Sequence, residues 1–294
     1  MSDALHWWLL APFDYAFMRR ALAACVVLAL TTPVVGVLLT LRGMSLMGEA
    51  LSHAILPGVA LAFVLAGFSL PLMMLGGVAA GLVTVLLAGG VSLVAGLRED
   101  AAMASLFLTA MAAGVMGISL SGNALDLGHV LFGSILGVDR QTLLLVATAG
   151  SLVLAVLALT FRTLVVECLD PGFLTLQGRH AGWTQALFMG LVVISLVIGF
   201  QALGTLMAAG LMLLPAAMAR FWSHRLEGMI AIATAWALVS GLAGLLASYH
   251  LALPAGPSIV LLAGAGYVVS ILVGPKGGWL ARRRQSRLRR EVTP

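Results

Sequence analysis

Apolar runs long enough to cross a membrane follow one another along this chain, separated by short polar or glycine- and proline-containing interruptions. The runs fall at about 17–41, 43–67, 71–97, 101–121, 142–161, 183–200, 203–219, 228–248 and 257–274. A hydrocarbon core some 30 Å thick takes roughly 20 helical residues. Within lipid the backbone must satisfy its own N–H and C=O groups, so each run predicts an α-helix. The expected fold is all-α, a polytopic transmembrane helix bundle of about nine spans, or about eight if the chain on either side of Gln201 is divided differently.

The interruptions carry their own signals. Arg42 closes the first run, Ser69 and Pro71 make a short turn, and Arg98, Glu99 and Asp100 close the third. Residues 122–141 are less regular; within them 131–137 is apolar but too short to cross, which reads as a short or re-entrant helix. The longest polar loop is 162–182, and Gln201 reads as a turn. Arginines gather at 42, 98, 162–179 and 220–225 and in the tail, alternate loops that the positive-inside rule places in the cytoplasm. An odd span count then puts the amino terminus outside. Residues 1–16, with Trp7, Trp8, Phe13 and Tyr15, read as an interfacial segment, 17–275 as one membrane domain, and 276–294 as a basic cytoplasmic tail.

Composition narrows the function classes. The chain of 294 residues is 61% hydrophobic and 9% charged, which leaves no room for a sizeable soluble domain. Its net charge of +5 does not point to nucleic acid, because residues 282–290 alone hold six arginines beside the last span. Such a cluster suits anionic lipid. Two cysteines, Cys25 and Cys168, are too few for a disulfide framework and are expected to be reduced. With Asp3, His6 and Asp14, the first residues lack the basic start of a cleavable signal peptide, so none is expected.

Against this apolar background two residues stand out. Between Gly43 and Leu97 the only formally charged residue is Glu49, and His53 is the only other ionisable one. A carboxylate at bilayer depth costs several kcal/mol, so such residues are functional candidates. Four residues apart on a helix they share a face. Carboxylate and imidazole are both ligands for zinc and manganese-type ions. The alternative is that the two satisfy each other or a neighbouring helix. Three further residues are candidates for a metal entrance: Asp126 and His129, three apart, and His250. Asp126 would equally cap a short helix, and His250 beside Tyr249 would equally be an interfacial histidine. Pairs such as Gly77/Gly81 and Gly133/Gly137 fit close helix packing.

Other chemistry is absent. The only lysine, Lys276, sits in Gly-Pro-Lys-Gly-Gly without a following Ser or Thr, so there is no phosphate-binding P-loop and no expected ATP hydrolysis by this chain. Neither His-Glu-x-x-His nor Gly-x-Ser-x-Gly occurs, which argues against an intramembrane enzyme. In 169–178, Asp170 suits an N-cap, Pro171 a first helical turn and Gly178 a stop, the form of a short cytoplasmic docking helix or an ordinary loop.

The stretch from Arg42 to Gly58, RGMSLMGEALSHAILPG, resembles the signature of the zinc/manganese/iron ABC importer permeases. Asp126-Leu127 followed by Leu131-Phe132-Gly133, Asp170-Pro171 with Gly178, Leu213-Leu214-Pro215-Ala216-Ala217, and Pro254-Ala255-Gly256-Pro257 resemble it in order, so the likeness covers nearly the whole chain. It implies a type II ABC importer fold, similar more remotely to the vitamin B12 importer permeases. It also implies a bacterial inner-membrane homodimer with cytoplasmic ATP-binding subunits and an extracytoplasmic metal-binding protein. No permanently bound cofactor is implied: zinc or manganese is cargo, and ATP sits on the partner. By this likeness Glu49 and His53 line the pathway, and 168–180, with Asp170, Pro171, Phe173, Leu174 and Gly178, couples to the ATPase. The alternative cargo is an iron chelate or cobalamin-like ligand. The chain departs from the pattern in having Glu49 where relatives often have Asp, Leu174 where alanine is frequent, and Ala252 where an acid is common.

Overall fold

The structure is a computed structural model and describes residues 8, 11–67, 69–96, 99–120, 135–169, 181–281 and 283. The first helices are α1 (Ala16–Leu41), α2 (Ser45–Ala54), α3 (Leu56–Ala66), α4 (Leu70–Ala95) and α5 (Glu99–Leu120). They are followed by α6 (Arg140–Leu169), α7 (Ala181–Leu203), α8 (Thr205–Ala219), α9 (Leu226–Leu251) and α10 (Ala255–Val273). Short 3₁₀ turns occur at Ala11–Asp14 and Ile135–Gly137, and no strand occurs among the described residues.

Seven helical spans among the described residues are long and apolar enough to cross a membrane, α2 and α3 together counting as one. Two shorter apolar helical stretches, Ala101–Gly114 and Met207–Ala219, occupy the places of the fourth and seventh expected crossings.

Burial explains which helices organise the rest. The apolar windows of α1 and α7 are 67% and 72% buried, against 17% for α4. Helix α1 packs on α6, α7, α8 and α9, while α2, α3, α4 and α5 form a second group that meets the first through α7 and α8. The shared core includes Leu28, Leu38, Leu39, Leu51, Phe188 and Met212. Without a hydrophobic force between helices in lipid, close backbone approach has to hold them. At Gly36 on α1, a Cβ would overlap the Met212 carbonyl of α8, and Gly58 and Gly76 exclude a Cβ at the α3–α4 crossing in the same way. The Gly77/Gly81 face of α4 lies against Ile55 and Val193. Gly133 lies outside the described residues, and Gly137 ends the second 3₁₀ turn.

Three expected boundaries move, each for a physical reason. The second span is two helices broken at Ile55, because Pro57 has no N–H to continue the ladder to the His53 carbonyl. The fifth run continues past Phe161 through Arg162 to Leu169 instead of becoming a loop. Its acid, Glu167, is neutralised by Arg42 at 3.0 Å, with both side chains nearly inaccessible. The turn expected at Gln201 falls at Gly204, whose φ of 84° is the left-handed geometry that glycine adopts freely.

Charged and aromatic groups sort to the two ends. Arg42, Glu167, Arg220, His224 and Lys276 gather around the end where α1 finishes. Trp8, Tyr15, Tyr249 and His250 gather where α1 begins.

Candidate metal site

Helix α2 is held flat against its neighbours by its apolar and small residues. Met47, Gly48, Ala50, Leu51 and Ala54 are buried. At Gly48 a Cβ would stand 2.8 Å from Leu39 Cδ2 and 3.1 Å from Met212 Cε. With that face fixed on α1 and α8, the opposite one presents Glu49 outward, and its side chain is 54% exposed. His53 lies one turn further on, 18% exposed, its ring stacked near-parallel on Phe107 of α5 at 6.1 Å between centroids. The pair sits some 6 to 12 Å along the axis from the start of α2, taking about 1.5 Å per residue.

His53 Nε2 stands 3.9 Å from Glu49 Oε1. That separation is beyond a hydrogen bond. Two ligand atoms each about 2.1 Å from a tetrahedral ion would lie about 3.4 Å apart, so a small side-chain adjustment would bring both onto one cation. His53 Nδ1 is buried and has no hydrogen-bond partner among the described residues. Among the described residues no three His, Cys, Asp or Glu side chains come together as a metal cluster. Within them this site therefore offers two donors, a half-exposed carboxylate and a mostly covered imidazole, with the remaining coordination positions open to ligands from elsewhere.

The other candidates separate. His250 sits in the last turn of α9, its ring 4.2 Å from that of Trp8 and edge-on to Tyr249 at 5.2 Å, with Nε2 3.0 Å from the Trp8 carbonyl. Its polar atom ties the amino-terminal segment to α9. Ala252 follows in left-handed geometry, φ 53°, a conformation that costs a residue with a Cβ about 1 kcal/mol. Asp126 and His129, and the segment carrying Asp170, Pro171, Phe173, Leu174 and Gly178, lie outside the described residues.

The sequence reading missed two residues. Glu167 is the only acid between Arg140 and Leu169, a signal available in the sequence. In the fold it pairs with Arg42, whose guanidinium also lies 4.7 Å over the Phe188 ring. Phe107, the ring beneath His53, sits in an apolar run with nothing to mark it.

The chain matches the ABC 3 transport family over residues 14–274. It belongs to that family. The manganese transport system membrane protein MntC of Halalkalibacterium halodurans is 32% identical over 281 residues, covering 95% of each chain. The manganese import system permease protein ScaB of Streptococcus gordonii is 32% identical over 271 residues, covering 92% of this chain and 96% of its own. The solved structure of PsaBC from Streptococcus pneumoniae in complex with Fab superposes with a TM-score of 0.82 at 28% identity, covering 96% of this chain and 98% of that one. The likeness thus runs through the whole bundle, including the stretch that carries Glu49 and His53.

Proposed function

We propose that this chain is the membrane-spanning permease subunit of an ATP-driven, binding-protein-dependent importer for a divalent transition metal, manganese before zinc. The names of the full-length relatives, manganese transport and import proteins, support the choice of metal. The observation that carries the reading is the Glu49–His53 pair, two donors 3.9 Å apart on an otherwise apolar helix, the carboxylate half exposed and the imidazole mostly covered against Phe107. A half-exposed carboxylate is costly against lipid. A second copy of this chain covering the face would remove that cost and bring the same two donors from its own α2. The ion then passes between two subunits, held by an incomplete set of ligands and therefore weakly enough to leave.

An oxygen and a nitrogen donor suit a bare divalent cation, in contrast to a bulky chelate that would be recognised by shape. ATP is hydrolysed by a partner subunit seated against Asp170, Pro171, Phe173, Leu174 and Gly178. The Arg42–Glu167 pair supports that route, because it joins the end of α6 to the corner that precedes α2. Two arrangements of the bundle, biased by ATP, would open the path to one side and then the other. The amino terminus lies outside and the basic tail inside the bacterial inner membrane.

The test is manganese uptake into vesicles holding the reconstituted transporter. Glu49→Gln and His53→Ala should each lower the rate about a hundredfold or more while the complex assembles normally. Native uptake by assembled variants would defeat the reading.

A further inference from the structure

A second polar site lies at the end of the bundle where α1, α8 and α10 finish. A cavity of about 390 Å³ opens there between Thr40, Arg220, Phe221, His224, Tyr267 and Lys276. Three of these residues are basic or able to become so, and the lysine is the chain's only one. Among the described residues none of the three has an ion-pair partner. The walls are held in place: the Lys276 N–H donates to the Phe221 carbonyl at 2.9 Å, and Trp222 Nε1 donates to Ser270 Oγ at 2.8 Å. The turn after α10 is thus clamped onto the α8–α9 corner.

Two surroundings say what kind of anion belongs there. Exposed Trp222 and Trp279 flank the site, the latter under the Arg283 guanidinium at 3.8 Å to the ring. Tryptophans of this kind mark the headgroup level of a bilayer. Leading to the cavity along α10, Leu261, Val268 and Leu272 form an exposed apolar stripe, and Lys276 lies in the turn that follows the helix. A soluble phosphate has no use for such a stripe, whereas acyl chains do. Basic pockets between membrane helices bind anionic lipid headgroups.

The geometry points to a phospholipid site: Arg220, Lys276 and His224 hold the phosphate of an anionic lipid whose acyl chains lie along the outer face of α10. Tyr267 and Thr40 offer hydroxyl oxygens at the inner wall of the cavity, beside the lipid headgroup.

Native mass spectrometry of the full chain in mild detergent, titrated with phosphatidylglycerol, tests this. The lipid should bind, and Arg220→Gln or Lys276→Gln should each weaken it about fivefold, the double variant about thirtyfold. Lys276→Arg, which keeps the charge, should bind as the wild type does, and so should Arg162→Gln, which removes an exposed charge elsewhere. Millimolar inorganic phosphate should fail to displace the lipid. The site is overturned if phosphatidylcholine binds as tightly, if the double variant retains phosphatidylglycerol, or if Arg162→Gln has the same effect. Displacement by phosphate alone would assign the cavity to a free anion, and exclusion of the lipid by the ATPase subunit would assign it to an acidic segment of that subunit; either result refutes the lipid.

Discussion

Two pairs of ionisable side chains lie seven residues apart at their near ends, and they differ in separation and in exposure. Arg42 and Glu167 meet at 3.0 Å with 8% and 4% of their side chains exposed, and the guanidinium is roofed by Phe188. Glu49 and His53 stand 3.9 Å apart, one of them half in the open and the other 18% exposed. The first pair spends its charges on each other. The second leaves its donors uncommitted, the property the proposed metal path needs in a group that must take up an ion and release it. Burial with a good partner makes a fastening, whereas a longer, more exposed pair leaves room for a ligand between its members.

Removing one member of each pair exposes the contrast most sharply. Glu167→Ala strands a buried guanidinium and should destabilise the fold by about 3–5 kcal/mol, whereas replacing both partners by apolar residues should recover much of the loss. Glu49→Gln should change stability by less than about 0.5 kcal/mol, the scale of a surface substitution. Thermal or denaturant unfolding of the purified chain measures both, and equal losses would erase the distinction between the two pairs.

A smaller effect is expected at Phe107. Phe107→Leu removes the ring stacked on His53 while keeping an apolar side chain, and should slow metal uptake by about two- to tenfold at unchanged assembly. An unaltered rate would mean that His53 needs no support from α5.

Asp139 gives the baseline of an exposed charge with a local task. It caps α6 by accepting the Thr142 N–H at 2.8 Å. The side-chain hydrogen bond from Thr142, then the backbone one, and the Arg20 charge hold its carboxyl below the usual carboxylate range. Because the folded value is lowered, the cap's stabilisation is complete at and above the ordinary carboxylate range and fades as pH falls through the lowered value. Asp139→Ala should cost about 1 kcal/mol near neutral pH and progressively less in acid, which unfolding curves at several pH values would resolve.

The bundle was legible in the sequence because lipid imposes one demand on every span, an unbroken apolar helix that satisfies its own backbone. For the same reason Glu49 and His53 were conspicuous where everything nearby was apolar. What the chain concealed were relations between distant residues. Arg162 and Glu167 look like the beginning of a loop until Arg42 is seen to neutralise the acid across the bundle. The break at Ile55 follows from Pro57, a local signal, yet a proline also sits unbroken inside α1 at Pro33, where Thr31 and Thr32 hydroxyls bond back to the Val27 and Leu28 carbonyls. Phe107 could not be told from any other apolar residue of its run. The turn at Gly204 was marked by its glycine, and the polar Gln201 three residues earlier drew attention away from it.

The pathway assignment is tested most directly by electron paramagnetic resonance of manganese bound to the intact transporter held without ATP. The spectrum should carry hyperfine coupling from an imidazole nitrogen, lost in His53→Ala, and Glu49→Gln should weaken the binding. Manganese bound without nitrogen coupling, or coupling that survives removal of His53, would contradict a site built on Glu49 and His53.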